Sequence, residues 1–301
     1  MKHYEAGITS DELPYGLERL YDDIAVVELT MACAAHCRHC LRSNYPRFTL
    51  KDEDIDGIIK YLANSGVTEV LITGGDPLLA PRKLKSLIEA IDKGVKSVKI
   101  IRVATRLFTQ DPDRIDIARL TLANTKRSIL QKLEIATQIN SASELSPKAI
   151  RAIESVKNYG IPIYAQNVFL KGVNDSVDEL VKLYKALRLL GIEPHYLFHS
   201  IPMAGTHHMR SSVKKMVECY EGLCNSGKVT GRAKPILALM TDIGKITLLP
   251  GTILGYEDGK VRLTSGYLIS ERLKNNPEWK LPSNARVNSN GYLEIEYLDG
   301  E

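Results

Sequence analysis

Between about residue 24 and about residue 227, short apolar, β-branched runs alternate with amphipathic stretches of helical period, and no other feature of the chain limits its fold as much. The runs at 24–29, 69–73, 97–104, 133–138, 162–170 and 195–199 read as strands, and the stretches at 52–64, 82–93, 114–124, 147–159, 177–190 and 213–225 read as helices. Start signals accompany several helices. Thr49 with Asp52 three residues on resembles a capping box, Ser146 precedes a helix opening on Pro147, and Asp175-Ser176 precedes another. Gly66, Gly160 and Gly191 follow helices where a left-handed stop belongs. Six strand–helix units with right-handed crossovers build a parallel sheet that curls. The fold class expected is α/β, a partial (β/α)6 TIM-type barrel rather than a flat doubly wound sheet.

After Gly227 the pattern changes to strands at 235–241 and 246–249, then from 253 through an Asp258-Gly259 turn that reads as a hairpin. The expected division is a barrel with a short amino-terminal segment over residues 1–230 and a C-terminal β-rich extension and tail over 231–301, with no seventh strand–helix unit. At 301 residues and 44% hydrophobic composition, one large core can be filled. No secretory leader and no apolar run near the roughly 18 residues of a membrane span is seen, so the expected location is cytoplasmic, with no membrane partner. A net charge of +4, from 40 basic and 36 acidic residues interspersed, is too small and mixed for a nucleic-acid footprint.

Chemistry concentrates in "CAAHCRHCLR", residues 33–42, in the loop after the first strand, which is the active face of a parallel barrel. Cys33, Cys37 and Cys40 are spaced C-x3-C-x2-C; an odd total of five cysteines, three of them clustered, argues for a metal or catalytic site over a disulfide framework. Two metal readings stand. Zinc would need a fourth protein ligand, which His36 or His39 would have to supply; an iron–sulfur cube held by three thiolates keeps one iron open for a small molecule. "ITGGDPLL", residues 72–79, follows the second strand, and its glycines would allow main chain to approach a ligand closely.

The cysteine segment resembles the cluster motif of the radical S-adenosylmethionine (SAM) enzymes, in which the open iron chelates SAM. Taken with "TGGDPLL", "QNVFLKGVND" (residues 166–175) and "HYLFHS" (residues 195–200), it is similar in order and spacing to the lysine 2,3-aminomutase family, from about residue 21 to about residue 260. That resemblance implies an isomerase that moves an amino group from the α to the β carbon of an amino acid. It implies a [4Fe–4S] cluster on Cys33, Cys37 and Cys40, SAM at Gly74, Gly75 and Asp76, and pyridoxal 5′-phosphate on Lys245 in "TDIGKITLLPG" (residues 241–251). Arg42 matches the arginine that pairs with the substrate carboxylate, a task suited to a planar guanidinium. Tyr21, His39, Gln166 and Arg210 match positions around the cofactors or the core, and Pro250 and Lys260 align as well. An external one-electron reductant of flavodoxin or ferredoxin type is implied as partner. Homo-oligomerisation is left open.

The chain also departs from the family. The glycine run before the lysine shrinks to Gly244, and two arginines that help hold the cofactor phosphate align with Leu20 and Ile24, leaving Arg19 as the neighbouring cation. Two acidic positions that grip the remote amine of lysine align with Ile201 and Ala238. A buried ammonium needs a counter-charge. The expected substrate is therefore an amino acid other than lysine: smaller, apolar, or with a polar end that meets His207 or His208. Two rival readings remain, a radical SAM enzyme of this family without pyridoxal phosphate and a zinc-stabilised binding module.

Overall fold

The computed structural model describes residues 13–19, 23–42, 45–124, 132–275 and 277–301. In chain order these form β1 (Leu17–Arg19), β2 (Ile24–Thr30), α1 (Asp52–Asn64), β3 (Glu69–Gly74), α2 (Pro81–Gly94), β4 (Ile100–Thr105), α3 (Leu107–Gln110), α4 (Ile115–Asn124), β5 (Lys132–Thr137), α5 (Pro147–Lys157), β6 (Ile163–Phe169), α6 (Val177–Leu189), β7 (Glu193–His199) and α7 (Val213–Asn225). They continue with β8 (Ile236–Thr241), β9 (Gly244–Thr247), β10 (Ile253–Glu257), β11 (Lys260–Leu268), α8 (Ile269–Asn275), β12 (Ala285–Val287) and β13 (Tyr292–Leu298). Tyr21 and Leu20 lie outside the described residues.

The first nine strands form one sheet in sequence order, β2 to β8 mutually parallel, with β1 and β9 antiparallel at its ends. Alternation decides which side each residue faces. On β3, Val70 and Ile72 are buried, whereas Glu69, Leu71 and Thr73 are partly accessible and line a cavity on the sheet's other side. On α2, Leu84, Leu87, Ile88 and Ile91 are buried at helical spacing, the stripe that seats this helix in the core. Among the described residues no helix is long and apolar enough to cross a membrane.

Two local expectations change. β8, read from sequence as part of the extension, pairs in parallel with β7 (Leu197 with Leu237, Phe198 with Ala238), so the sheet holds seven parallel strands and β9 folds back along its edge. α7 serves as the crossover, and Leu237, Ala238 and Leu239 are buried in succession, as a strand covered on both faces requires. The Thr49 box is also displaced: the Asp54 carboxylate accepts from Lys51 N–H at 2.7 Å, while Thr49 Oγ1 lies 2.7 Å from Thr30 Oγ1 across an isolated bridge. The Ser146 and Ser176 caps form as read, each accepting from the N–H three residues on, and Gly66, Gly160 and Gly191 all have positive φ.

The remaining strands make a four-stranded antiparallel sheet ordered β10-β11-β13-β12. Arg210 staples it to the main sheet. Its Nε donates to Ser200 O at 2.9 Å, Nη1 to Asp299 O at 2.9 Å and Nη2 to Leu298 O at 2.5 Å, so a buried cation meets three carbonyls. Beside it, His199 Nε2 lies 2.7 Å from Ser211 O, which can only accept; Nε2 therefore carries the proton, and Nδ1 accepts from Tyr297 Oη at 2.8 Å.

Burial pushes the His199 pKa down from 6.5 to about 4. The neutral ring's contribution is complete above about pH 6.5 and is lost as pH falls toward 4, a span worth up to about 3 kcal/mol. In thermal unfolding from pH 7 to 4, His199→Gln should be the less stable protein at pH 7 yet lose less on acidification than the parent.

Candidate active site

The cysteine loop begins where β2 ends. Met31 N–H donates to Phe48 O at 2.8 Å and Leu50 N–H to Leu29 O at 3.0 Å, so the returning chain zips the loop shut at its base. Cys33, Cys37 and Cys40 are all partly buried free thiols and all line one cavity of about 720 Å³. Burial is the main cause that pushes the Cys33 and Cys40 thiols above their ordinary range. Among the described residues no three His, Cys, Asp or Glu side chains converge on a single metal ion.

The glycine loop lines the cavity on one side and packs against main chain on the other. Gly74 has φ +121°, and a Cβ there would overlap Thr30 O; a Cβ on Gly75 would overlap Ala32 O. Gly75 N–H donates to Thr30 O at 2.6 Å and Asp76 N–H to Ala32 O at 2.7 Å. The close backbone approach is thus to the root of the cysteine loop, with the loop's other side facing the cavity. Asp76 is turned back as well. Its carboxylate accepts from Thr105 Oγ1 at 2.8 and 2.9 Å, from Arg106 N–H at 2.9 Å and from Leu78 N–H at 3.1 Å. Burial outweighs these bonds and pushes its pKa up to about 6.

His39 and Gln166 also line the cavity. His39 Nε2 lies 3.0 Å from Gln138 Oε1 and 3.3 Å from Asn140 Nδ2, tying the cysteine loop to the end of β5, and burial holds the ring's pKa below its ordinary value. Arg42 reaches the cavity wall paired with Glu28 and, at 3.8 Å, with Glu18. Lys245, on β9, opens into the same cavity; its Nζ donates to Tyr196 Oη at 2.8 Å, and Tyr267 Oη donates to Lys245 O at 2.6 Å.

Other expected residues fall elsewhere. Arg19 points away from the cavity, its guanidinium directed at Tyr61 Oη (3.3 Å) and Ser65 O (3.4 Å) beside α1, while Ile24 presents an apolar side chain to the cavity. Ile201 lines the cavity, as do Phe198 and Met240, but Ala238 is buried in the sheet. His207 and His208 lie on an exposed turn and are not part of the cavity wall.

Several wall residues were not singled out from sequence. Arg106, after β4, sends Nη1 to Cys37 Sγ at 2.8 Å, Nε to Gln138 O at 3.0 Å and Nη2 to Glu144 Oε2 at 2.7 Å. Gln110 Nε2 adds a second donor to Cys37 Sγ at 3.2 Å. Thr137 Oγ1, at the end of β5, lies buried in the wall without a hydrogen-bond partner among the described residues. A bulge in β7 sets Ala165 opposite Pro194 but Gln166 opposite Tyr196, so His195 is an extra residue and both rings face the cavity, stacked 4.1 Å apart. Burial, with Arg102 and Lys245 nearby, pushes the His195 pKa down to about 4. Arg102 meets Glu134 at 3.1 Å and Glu69 at 3.9 Å.

The residues of the wall are compatible with the groups that the family resemblance implied. Three thiols and an orphaned hydroxyl suit a sulfur-held cluster with a polar cosubstrate, and a lysine amine packed on an aromatic ring suits an aldehyde cofactor. Arg272, whose Nη2 donates to Ile243 O at 2.6 Å, is a cation of the wall beside the Lys245 strand.

Residues 27–184, just over half of the chain, match the family model of the radical SAM superfamily, and the chain belongs to that superfamily. Within it the chain is similar to lysine 2,3-aminomutases. It is 35% identical over 249 residues to a putative L-lysine 2,3-aminomutase of Aquifex aeolicus, covering 79% of this chain and 65% of that one. It is 31% identical over 258 residues to the L-lysine 2,3-aminomutase of Fusobacterium nucleatum, covering 82% and 58%. The chain thus spans about three-fifths of the length of these curated relatives. In fold it resembles the crystal structure of a radical SAM methyltransferase from Sphaerobacter thermophilus, with a TM-score of 0.53 and 18% identity over 74% of this chain and 68% of that one.

The seam at Gly75 gives a direct test. Gly75→Ala has to displace Met31 and Ala32 backbone and should lower stability by about 1–3 kcal/mol, whereas Gly231→Ala, with nothing within 4 Å of the new methyl, should leave the melting temperature nearly unchanged.

Proposed function

We propose that this chain is a radical SAM, pyridoxal phosphate-dependent amino acid 2,3-aminomutase acting on an amino acid other than lysine. The observation that carries the reading is that the C-x3-C-x2-C thiols and the Lys245 side chain open into one cavity. We read the nine-stranded sheet as a partial barrel whose lumen is that cavity, and the second sheet as its appendage.

Cys33, Cys37 and Cys40 would hold the cluster, Thr137 and the cavity side of the glycine loop would meet SAM, and Lys245 would hold pyridoxal phosphate, with Arg272 toward its phosphate. When bound, these groups supply a 5′-deoxyadenosyl radical, generated with an electron from a flavodoxin- or ferredoxin-type donor, and delocalisation for the migrating nitrogen. The protein's own residues do the rest. Tyr196 accepts from the Lys245 amine and lies beneath it, with Nζ 4.1 Å from the ring centre, which orients the amine toward the lumen. Arg42 would meet the substrate carboxylate while sharing its donors with Glu28. Phe198, Ile201 and Met240 exclude water and receive an apolar side chain. The carboxylates of the wall already have partners, Glu18 beside Arg42 at 3.8 Å, Glu69 beside Arg102 at 3.9 Å and Asp76 bonded by Thr105, which supports a substrate without a remote ammonium. Residue types of this kind suit a reducing compartment such as the cytoplasm.

A second reading, the same radical chemistry without pyridoxal phosphate, is favoured by one observation, the apolar Ile24 and outward Arg19 where phosphate cations were expected. The two part on experiment. Under anaerobic reconstitution Cys33→Ala should lose the cluster and at least a hundredfold of SAM cleavage. Lys245→Ala should keep full iron and sulfide but lose the borohydride-trapped pyridoxyl label that maps to Lys245 in the parent. No label on the parent would favour the second reading; a colourless parent carrying stoichiometric zinc would sink both. Screening amino acids for deoxyadenosine release and β-amino product identifies the substrate.

A further inference from the structure

Of the three thiols in the wall, Cys37 stands in a different electrostatic setting. Arg106 Nη1 donates to its sulfur at 2.8 Å and Gln110 Nε2 at 3.2 Å, both from the segment that follows β4. Cys33 Sγ has a contact to Gln110 Oε1 at 3.9 Å, so the amide oxygen faces one thiol and its NH2 group the other. The arginine is not a mobile side chain that happens to reach a sulfur. All three of its guanidinium nitrogens are engaged, with Nε on Gln138 O and Nη2 on Glu144. Glu144 is itself held through Oε1 by the Asn140 N–H at 2.7 Å and the Ser141 N–H at 3.0 Å. The arginine backbone N–H is bonded to Asp76. Its direction toward Cys37 is therefore set by β3, β5 and the turn after β5 together.

We propose that Arg106, supported by Gln110, is a positioning residue that sets the reduction potential of the cluster through the Cys37 sulfur. The inference rests on the cluster assignment above. A cationic donor at a ligand sulfur stabilises the form with one more electron, so it raises the potential and eases electron transfer from the external one-electron donor. The donor is pre-organised, so little reorganisation opposes reduction.

The test uses the full chain, reconstituted anaerobically, with iron and sulfide counted and the reduced fraction read by electron paramagnetic resonance across a potential titration. Arg106→Gln should retain its iron, and at the parent's midpoint its reduced-to-oxidised ratio should fall about tenfold, a shift of about 59 mV for a one-electron couple. Arg106→Lys should restore part of it, Gln110→Leu should give a smaller fall, and Glu144→Gln, which touches no thiol, should stay near the parent. An unchanged midpoint in Arg106→Gln with a full cluster overturns the inference alone. An equal fall in Glu144→Gln also overturns it, because loosening would then explain the effect. If Arg106→Gln loses iron, the Gln110→Leu midpoint decides: a fall supports the proposal and parity with the parent refutes it. A parent that assembles no iron–sulfur cluster removes the proposed function and this inference together.

Discussion

Two adjacent strand ends share a seam of main chain, and the site depends on it. Gly74 and Gly75 lie so close to residues 30–32 that no side chain fits between, and two backbone hydrogen bonds of 2.6 and 2.7 Å close the gap. The cysteine segment thus leaves the sheet from a rigid root even though it carries no regular element of its own. Asp76 extends the seam to the next strand by accepting from Thr105 and the Arg106 N–H, and Arg106 returns from there to Cys37. Three successive strand ends are therefore laced around the thiols. A loop that must present reactive sulfur at one place gains its order from its neighbours rather than from itself.

The outline of the fold was legible because burial imposes a period on residue types. Alternating or continuous apolar runs marked β2 to β7, and caps such as Ser146 and Ser176 act within four residues of themselves. What was not legible depends on pairing at a distance. β8 looks like any hairpin strand until its parallel register with β7 is known. Thr49 resembled a cap, but its hydroxyl bonds to Thr30, 19 residues away in sequence.

The site divides the same way. Cys33, Cys37, Cys40, the glycine loop, His39, Gln166, Arg42 and Lys245 carried a signal in residue type or family resemblance, and all of them face one cavity. Arg106 gave none, since an arginine after a strand is ordinary and its partner thiol is 69 positions earlier. His207 and His208 were attractive as residue types and yet lie on an exposed turn. Chemical identity is written locally, whereas orientation is a property of the assembled sheet.

The extra residue in β7 has a consequence for how a cavity like this one diversifies. Pairing with β8 from Tyr196 onward is regular, so the unpaired His195 is a ring added to the interior without shifting the frame of its neighbours. An in-frame deletion of that single codon would remove an imidazole from the chamber while Tyr196 and Phe198 kept their outlook. A change of one residue in length can therefore add or erase one polar ring here while the register on either side is kept.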